Sequence, residues 1–307
     1  MKREKTIRPG VRETGRLILK NRKCYLLIAP FMIIFLTFSV LPVLISIFIS
    51  FTSFNLLEFP SFVGAENYIR LFTQDPTFLV AFKNTIILAL VTGPLGYLIS
   101  LLFAWIVNEL PDKLRVIATF FFYIPSISGN VYLIWTVLFN GDMYGYLNGI
   151  LFKFGLIDAP IQWLKDPRYM MGIVIIVALW SSLGTSFLAF VAGFKGISRE
   201  FYEAAAVDGI SNMWQELWFI TLPMMRPQML FGAVMSISSS FGVGAICTAL
   251  CGFPSTDYAV HTIMNHLEDY GGQRFEMGYA CAIATVLFIL MIATNKFVQS
   301  IIAKVGE

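Results

Sequence analysis

This sequence has few charged residues. Only 13% of its 307 residues are Asp, Glu, Lys or Arg, whereas 57% are hydrophobic and 29 are phenylalanine. Soluble domains carry about 25% charged residues, so this composition excludes an ordinary soluble protein. A polytopic, all-α integral membrane protein is the fold class that fits, because helices satisfy their own backbone hydrogen bonds inside a bilayer.

Cysteine is also scarce. Four cysteines in a chain of this length and apolarity do not make a disulfide framework. Cys247 and Cys251 stand one helical turn apart in an apolar run, and no His, Asp or Glu lies nearby to complete a metal site. Both thiols are therefore predicted to pack between helices, and no metal site is predicted.

Long apolar runs are what the sequence has instead. A helix needs about 20 apolar residues to cross a bilayer core of about 30 Å. Six stretches qualify, and none carries a charged residue or histidine in its central portion: 26–51, 79–107, 116–139, 170–194, 229–250 and 278–298. The first stretch could be a secretory signal, but its apolar core is too long and no cleavage pattern follows it, so it is predicted to be an anchor.

The basic residues set the orientation, since cytoplasmic loops are enriched in Lys and Arg. Residues 1–25 form a basic tail. Further basic residues fall after the second and fourth stretches and at or after the end of the sixth: Lys113, Arg115, Lys195, Arg199, Arg226, Lys296 and Lys304. The outer loops are mixed or acidic. Six transmembrane helices with both termini cytoplasmic are therefore predicted.

Two connections are more than turns. The outer segment 140–169 contains "YGYLNGILFKFGLID", predicted as an amphipathic helix closed by Gly155, and then Trp163, suited to the membrane interface. The cytoplasmic segment 198–227 contains "EFYEAAAVDGISNMWQELWFITLPMMRP". It is predicted to hold a helix capped by Ser198 and stopped by Gly209, and a second helix capped by Ser211.

This second helix is predicted to span Asn212–Phe219 and to end before Pro223. Composition alone leaves two interpretations of the segment open: an amphipathic hairpin lying on lipid, or a surface that docks another protein.

The residues of this segment resemble the EAA signature of binding-protein-dependent ABC importer permeases. The matching positions are Glu203, Ala204, Ala205, Gly209, Ile220, Leu222 and Pro223. The stretch between Gly209 and Ile220 is one residue longer than the family pattern, which leaves the register of the second helix open. Further motifs follow the family's order, including "FVGAENYIRLF", "YIPSISGNVYLIWTVLFN" and "FVAGFKGISREFYEAA". The set is most similar to the first permease of maltose- and glycerol-phosphate-type carbohydrate importers, and it makes residues 26–307 the permease domain.

The resemblance implies a role and partners for the segment. It would be the coupling helix that docks in a cytoplasmic ATPase, with Glu203, Ala204, Ala205, Asp208 and Gly209 at the contact. A second, non-identical permease, two ATPase copies and an external solute-binding protein would complete the assembly in a bacterial cell membrane. The chain has no Walker-type phosphate loop, so ATP and Mg would be bound by the ATPase. The chain is therefore predicted to be neither an enzyme nor a nucleic-acid binder.

Hydroxyl side chains mark a possible solute path in spans four and five. The candidates, which share helical faces at spacings of three and four with an indole beside them, are Trp180, Ser181, Ser182, Thr185, Ser236, Ser239 and Ser240. Such hydroxyls suit a neutral di- or oligosaccharide. Serine also serves close helix packing in membranes, so packing remains an alternative for each. A polyol phosphate is less favoured, because no Arg or Lys lies in the spans.

Two other classes of protein compete with an importer subunit. A stand-alone ion-coupled transporter usually has an intramembrane carboxylate or histidine, and often paired broken segments, and neither feature is evident in the sequence. A membrane enzyme would need an acid–base or metal constellation. His261 and His266 lie in the last outer loop and are expected to be solvated, with a pH-sensing or metal role as the weaker alternative.

Overall fold

The computed structural model describes residues 21–128 and 131–302. Its helices are α1 Arg22–Ile49, α2 Glu66–Thr73, α3 Pro76–Asn108, α4 Asp112–Ile127, α5 Tyr132–Leu138, α6 Tyr146–Lys153, α7 Pro167–Ser181, α8 Thr185–Lys195, α9 Arg199–Val207, α10 Met213–Glu216, α11 Arg226–Phe241, α12 Gly244–Cys251, α13 Ile263–Glu268 and α14 Met277–Ile302. Strands β1 Thr52–Ser53 and β2 Ser61–Phe62 pair antiparallel. The predicted basic tail up to residue 20, and Lys304, lie outside the described residues.

Four helical units in the described part of the chain are long and apolar enough to cross a membrane: α1, α3, the stack of α7 on α8, and α14. The predicted stretches 79–107, 170–194 and 278–298 fall within three of them, and 26–51 overlaps α1. The count is six if the bent pairs α4–α5 and α11–α12 each form one span.

The third and fifth stretches were predicted as uninterrupted spans without paired breaks, and the structure corrects this. A bend of 84° separates α4 from α5, and one of 41° separates α11 from α12. Pro125 lies in the last turn of α4, where its missing N–H and its ring weaken the helix. Gly242 ends α11 and Gly244 begins α12, so this bend lies at two residues that favour departure from a helix. A shorter interruption at residues 182–184 separates α7 from α8.

The second half of α1 packs on α14. None of the residues of α1 is buried, and most of its apolar side chains are exposed. A helix that is apolar all round suits lipid or another membrane protein.

The core lies where α3, α8 and α11 cross. Phe187 and Phe190 of α8 are fully buried there. The hydroxyl of Ser186 donates to the carbonyl oxygen of Gly232 in α11 at 3.0 Å, which fixes the two helices at close approach. A Cβ added at Gly232 would lie 2.6 Å from Cε1 of Phe190, so only glycine fits.

We therefore expect Gly232→Ala to lower the free energy of unfolding by about 1–3 kcal/mol, since overpacking a dense core costs that much. Gly172→Ala is the matched control, because a Cβ at this helical glycine meets nothing within 4 Å. The control should be neutral or gain up to about 1 kcal/mol from helix propensity. Thermal unfolding of the two detergent-solubilised variants measures both, and equal shifts would contradict the close packing.

Segments that connect the spans are held by side-chain amides. Asn67 of α2 donates to the carbonyls of Ser50 and Thr52 at 2.8 and 2.9 Å, which ties the β1–β2 hairpin to the end of α1. Asn148 of α6 is fully buried and accepts from the indole N–H of Trp163 at 2.8 Å. The predicted helix closed by Gly155 is confirmed, with Gly155 at φ +65°. Trp163, whose position at the membrane interface stays a prediction, is half-buried against Phe139.

Candidate functional site: a hydroxyl-lined cavity and a two-helix segment

A cavity of about 520 Å³ lies where the three interrupted spans meet. Walls are contributed by α3, α4, α5, α7, α8, α11 and α12. The breaks in the third, fourth and fifth spans all border the cavity, at Ser128, Ser182 and Gly242. The structure brings six of the predicted solute-path residues to this cavity: Ser181, Ser182, Thr185, Ser236, Ser239 and Ser240.

Trp180 is not among the lining residues. Its ring packs edge-to-face on Trp135 of α5, with centroids 5.3 Å apart, on the neighbouring side of α7. The aromatic side chains that border the cavity are Tyr123 and Tyr132, which flank the bend in the third span. Sequence reasoning missed them because the span was taken as continuous. The polar run "PSISGN" that begins at Pro125 was the available signal.

Hydrogen bonds divide the cavity hydroxyls into two groups. In the first group each hydroxyl donates to a backbone carbonyl of its own helix, as Ser182 does to Leu179 at 2.6 Å, Ser238 to Val234 at 2.9 Å and Ser240 to Ile237 at 2.8 Å. Ser236 pairs with Ser186 across α8 and α11 at 3.2 Å. These hydroxyls are used in packing the helices.

The second group is uncommitted. Within the described part of the chain, the hydroxyls of Ser128, Ser181, Thr185 and Ser239 have no hydrogen-bond partner, and that of Ser181 is also shielded from solvent. A buried polar group without a partner costs about 1–3 kcal/mol, so a site of this kind gains when a ligand supplies the missing bonds. No Lys, Arg, His, Asp or Glu is among the described residues that line the cavity.

Close backbone approach keeps the cavity walls together. The hydroxyl of Ser100 in α3 donates to the carbonyl of Ser182 at 3.1 Å, at the first residue of the interruption in the fourth span. Gly96 lies one turn away, and a Cβ there would meet the side chain of Ser182 at 2.9 Å. The interruption is thus held by α3 rather than left free.

The EAA segment forms two helices joined by a glycine turn. α9 ends in a Schellman motif, in which Gly209 N–H donates to Ala206 at 3.2 Å and Ile210 N–H donates to Ala205 at 3.0 Å. Gly209 has φ +94°, which a residue with a side chain adopts only under strain. Among the predicted contact residues, Glu203, Ala204, Asp208 and Gly209 are exposed, whereas Ala205 is on the buried side of α9.

Of the two predicted caps of this segment, Ser198 is confirmed in position only, and Ser211 is wrong. Ser198 occupies the N-cap of α9, but its hydroxyl makes no capping bond. α10 is capped by Asn212, whose side chain accepts from the N–H of Trp214 at 3.1 Å, and not by Ser211. The backbone turn at Gly209–Ile210 places Asn212 one residue further on, and Asn is as good a cap as Ser.

The second helix is also longer than predicted. It continues through a π turn, Leu217–Thr221, and through Pro223 to Met224. A π turn holds one residue more than an α turn does, so this helix is locally wider at Leu217–Thr221.

The two-helix segment contacts the bundle through aromatic and hydroxyl groups. Trp214 of α10 packs edge-to-face on Trp105 near the end of α3, with centroids 4.9 Å apart. Tyr202 of α9 bonds the hydroxyl of Thr221 at 3.0 Å, which clamps the two helices of the segment. The segment is therefore a stiff unit joined to α3 as well as to its flanking spans.

The remaining candidates carry no metal chemistry. Among the described residues, no group of three or more His, Cys, Asp or Glu could hold a metal ion. Cys247 is buried in the core beside Val243 and Leu250, and Cys251 packs against that cluster, as predicted. His261 and His266, expected to be solvated, are instead 3% and 2% exposed.

Known proteins place this architecture in a family. The model of the family described as "Binding-protein-dependent transport system inner membrane component" matches residues 94–304. The chain belongs to this family. It is thus a multi-pass membrane protein and a permease component of a transport system.

Relatives and a solved structure agree with the assignment. The permease is 34% identical over 277 residues to the probable ABC transporter permease protein YesP of Bacillus subtilis (strain 168), covering 88% of this chain and 87% of that protein. It is 31% identical to the arabinooligosaccharides transport system permease protein AraP of the same organism, covering 90% and 87%. Its fold matches a bacterial ABC transporter involved in the import of the acidic polysaccharide alginate, with TM-score 0.74, 23% identity, and 96% and 99% coverage. These relatives are named as transport components, not as enzymes.

Proposed function

We propose that this permease is one membrane subunit of an ATP-driven importer for a neutral di- or oligosaccharide. The observation that carries the proposal is the cavity, whose described lining offers hydroxyls and two tyrosines but no charged group. Sugar hydroxyls exchange hydrogen bonds with serine and threonine, and a tyrosine face can stack on a sugar ring. A phosphate or carboxylate would call for Arg or Lys there. The name of the relative AraP, with its arabinooligosaccharides, supports this class of solute.

The proposal includes an assembly. The two bent pairs each count as one span, which makes six, with both termini and the α9–α10 segment in the cytoplasm of a bacterial cell. A second, non-identical permease would pair with this chain, two ATPase subunits would bind ATP and Mg below it, and a solute-binding protein would dock on the outer face. A solved alginate transporter in complex with a pentasaccharide-bound periplasmic protein offers the precedent for that last contact.

The two-helix segment is the proposed lever. Its exposed Glu203, Ala204, Asp208 and Gly209 would fit a groove of the ATPase, and the clamp between Tyr202 and Thr221 would keep the segment stiff. Closure of the ATPase pair would then move α7–α8 and α11–α12, and through Trp105 also α3, between inward-open and outward-open states.

The experiment that tests the assembly is gentle extraction of the tagged chain from its own host, followed by mass spectrometry of what co-purifies. A second permease and an ATPase in stoichiometric amounts are the expected result. Recovery of the chain alone, still able to move solute across liposomes without ATP, would overturn the proposal in favour of an ion-coupled transporter.

A further inference from the structure

The two histidines of the chain form a buried row with an aspartate and a tyrosine. Nε2 of His261 lies 3.2 Å from Nδ1 of His266, and Nε2 of His266 lies 3.0 Å from Oδ2 of Asp75. The hydroxyl of Tyr279 donates to the same oxygen at 2.8 Å. The row therefore joins the connection before α13, α13 itself, the start of α3 and the start of α14.

The hydrogen-bond pattern fixes where the protons lie. Asp75 caps α3, with Oδ1 accepting from the N–H of Phe78 at 2.9 Å. Burial would raise the pKa of Asp75, but the bonds from Phe78 and Tyr279 and the neighbouring His266 outweigh it and lower the pKa. Asp75 is thus a carboxylate and an acceptor, so Nε2 of His266 carries a proton. Nδ1 of a neutral His266 then accepts from Nε2–H of His261, and every bond of the row is made.

The row has room for one added proton but not for two. A proton on Nδ1 of His266 can still be accommodated if His261 changes tautomer and accepts through Nε2. A second proton makes both rings donors, and two positive N–H groups then face each other across 3.2 Å. Such a pair, both members of which are nearly inaccessible to water, cannot persist without separation of the rings.

The surrounding charges do not remove this limit. Asp75 from α3 and Asp269 after α13 favour protonation of both rings, and Arg274 opposes it. Burial is the largest cause for both histidines and lowers the pKa of each. For His261 the pKa falls from 6.5 to about 4, and the charge of His266 is the second cause. The groups that complete the surroundings are Arg70, Glu276, Tyr258, Tyr270 and Tyr279.

A neighbouring amide links this row to the wall of the cavity. Asn265, beside His266 in α13, donates to the carbonyl of Gly244 at 3.0 Å and to the hydroxyl of Thr248 at 2.8 Å, both in α12. α12 follows the bend in the fifth span, and Val243 and Ile246 on either side of Gly244 line the cavity. On the opposite side, Asn84 of α3 donates to the carbonyl of His261 at 3.0 Å.

We propose that His261 and His266 are a proton-sensitive latch that holds α12 in its present position, closing this end of the cavity. With the pair neutral, α13 stays bonded to α3 and α12. Uptake of the second proton separates the rings, frees α13 and lets α12 move away from the cavity. The proposal depends on neither the identity of the solute nor the orientation of the chain in the membrane.

Accessibility of Cys251, at the end of α12, reports the state of the latch. A chain that keeps Cys251 and has Cys24→Ser, Cys247→Ala and Cys281→Ser is labelled in detergent with a maleimide. The rate at each pH is divided by the rate for the unfolded chain at that pH, which cancels the chemistry of the thiol. A histidine whose pKa is about 4 when latched and 6.5 when released gives a rise of about 30-fold from pH 7.5 to pH 5.

Two variants test whether the rise in the labelling rate of Cys251 at low pH depends on the histidine pair. His261→Gln, whose amide can donate to His266 but cannot take up a proton, should flatten the profile to within about threefold. Met264→Gln is the control, since it places the same residue on the exposed side of α13 and should keep the full rise. A profile that is flat in the parent chain, or one that persists in His261→Gln, overturns the proposal.

A measurement without substitution covers the case in which His261→Gln does not fold. Hydrogen exchange of the parent chain, corrected for intrinsic rates, should show protection of 244–270 falling between pH 7.5 and pH 5. Protection of 76–108, a span that does not belong to the released unit, should stay constant. Loss of protection in both segments to the same extent would indicate general unfolding and would refute a latch.

Discussion

Gly209→Pro abolishes uptake while the chain remains inserted in the membrane: this is the largest effect expected from any single substitution in the two-helix segment. Gly209 has φ +94°, and proline is fixed near −65°, so the turn between α9 and α10 cannot form. Its N–H, which donates to Ala206, is lost as well. Strain of about 3 kcal/mol corresponds to about 100-fold in the population of the docking-competent segment. Uptake should fall by at least that factor.

A matched control exists in the same chain. Gly155 follows α6 as Gly209 follows α9, with φ +65° and the same pair of bonds, from Gly155 N–H to Phe152 and from Leu156 N–H to Leu151. A Cβ at either glycine would meet nothing within 4 Å. Gly155→Pro therefore imposes the same kind of backbone damage on the other side of the proposed membrane, away from the ATPase.

Uptake, membrane content of the chain and co-purification of the ATPase should be measured together for both variants in the native host. The expected pattern is that Gly209→Pro loses uptake and ATPase, whereas Gly155→Pro keeps both within about threefold, a difference of under 1 kcal/mol. Normal uptake by Gly209→Pro would refute the role of the segment as a lever. Loss of uptake by both variants at equal membrane content would show that the effect is not specific to it.

The sequence predicts those elements well that a single local feature determines, such as the length of an apolar run or a glycine after a helix. α3 and α14 are long, apolar and continuous, and the length needed to cross a bilayer is enough to find them. The Schellman turn at Gly209 is equally local, because glycine after a helix is its own signal. The cap of the second helix was missed by one residue, since Ser211 and Asn212 are both good N-caps and the path of the turn decides between them.

The interruption of the fourth span and the burial of the histidines depend on residues that are distant along the chain. A local sequence pattern carries no information about such residues. The interruption at Ser182 is held by a partner on α3, Ser100, which lies 82 residues away from it. His266 lies in a polar stretch that indicates solvent, yet its partner Asp75 is 191 residues away along the chain. Spacing alone located the hydroxyls of the cavity, but could not tell which of them the backbone already uses.

The second large effect on uptake is expected from removing cavity hydroxyls that have no hydrogen-bond partner, in contrast to those already bonded to the backbone. The triple variant Ser181→Ala, Thr185→Val and Ser239→Ala removes the three uncommitted hydroxyls of the fourth and fifth spans while keeping the shape of each side chain nearly unchanged. If each makes one hydrogen bond with the solute worth about 1 kcal/mol, the loss is about 3 kcal/mol, or about 100-fold in occupancy of the cavity. Uptake at solute concentrations well below saturation should fall by one to two orders of magnitude, because the solute passes through this site.

The control is a second triple variant of equal chemistry, Ser182→Ala, Ser238→Ala and Ser240→Ala. These hydroxyls donate to backbone carbonyls of their own helices, which already accept helical bonds, so their loss should change uptake less than about threefold. Membrane content and thermal unfolding of both variants should match that of the parent chain. Equal losses of uptake in the two triple variants would contradict the proposed solute contacts. They would indicate that all six hydroxyls serve helix packing, because only a bound solute would depend on the uncommitted set more than on the backbone-bonded set.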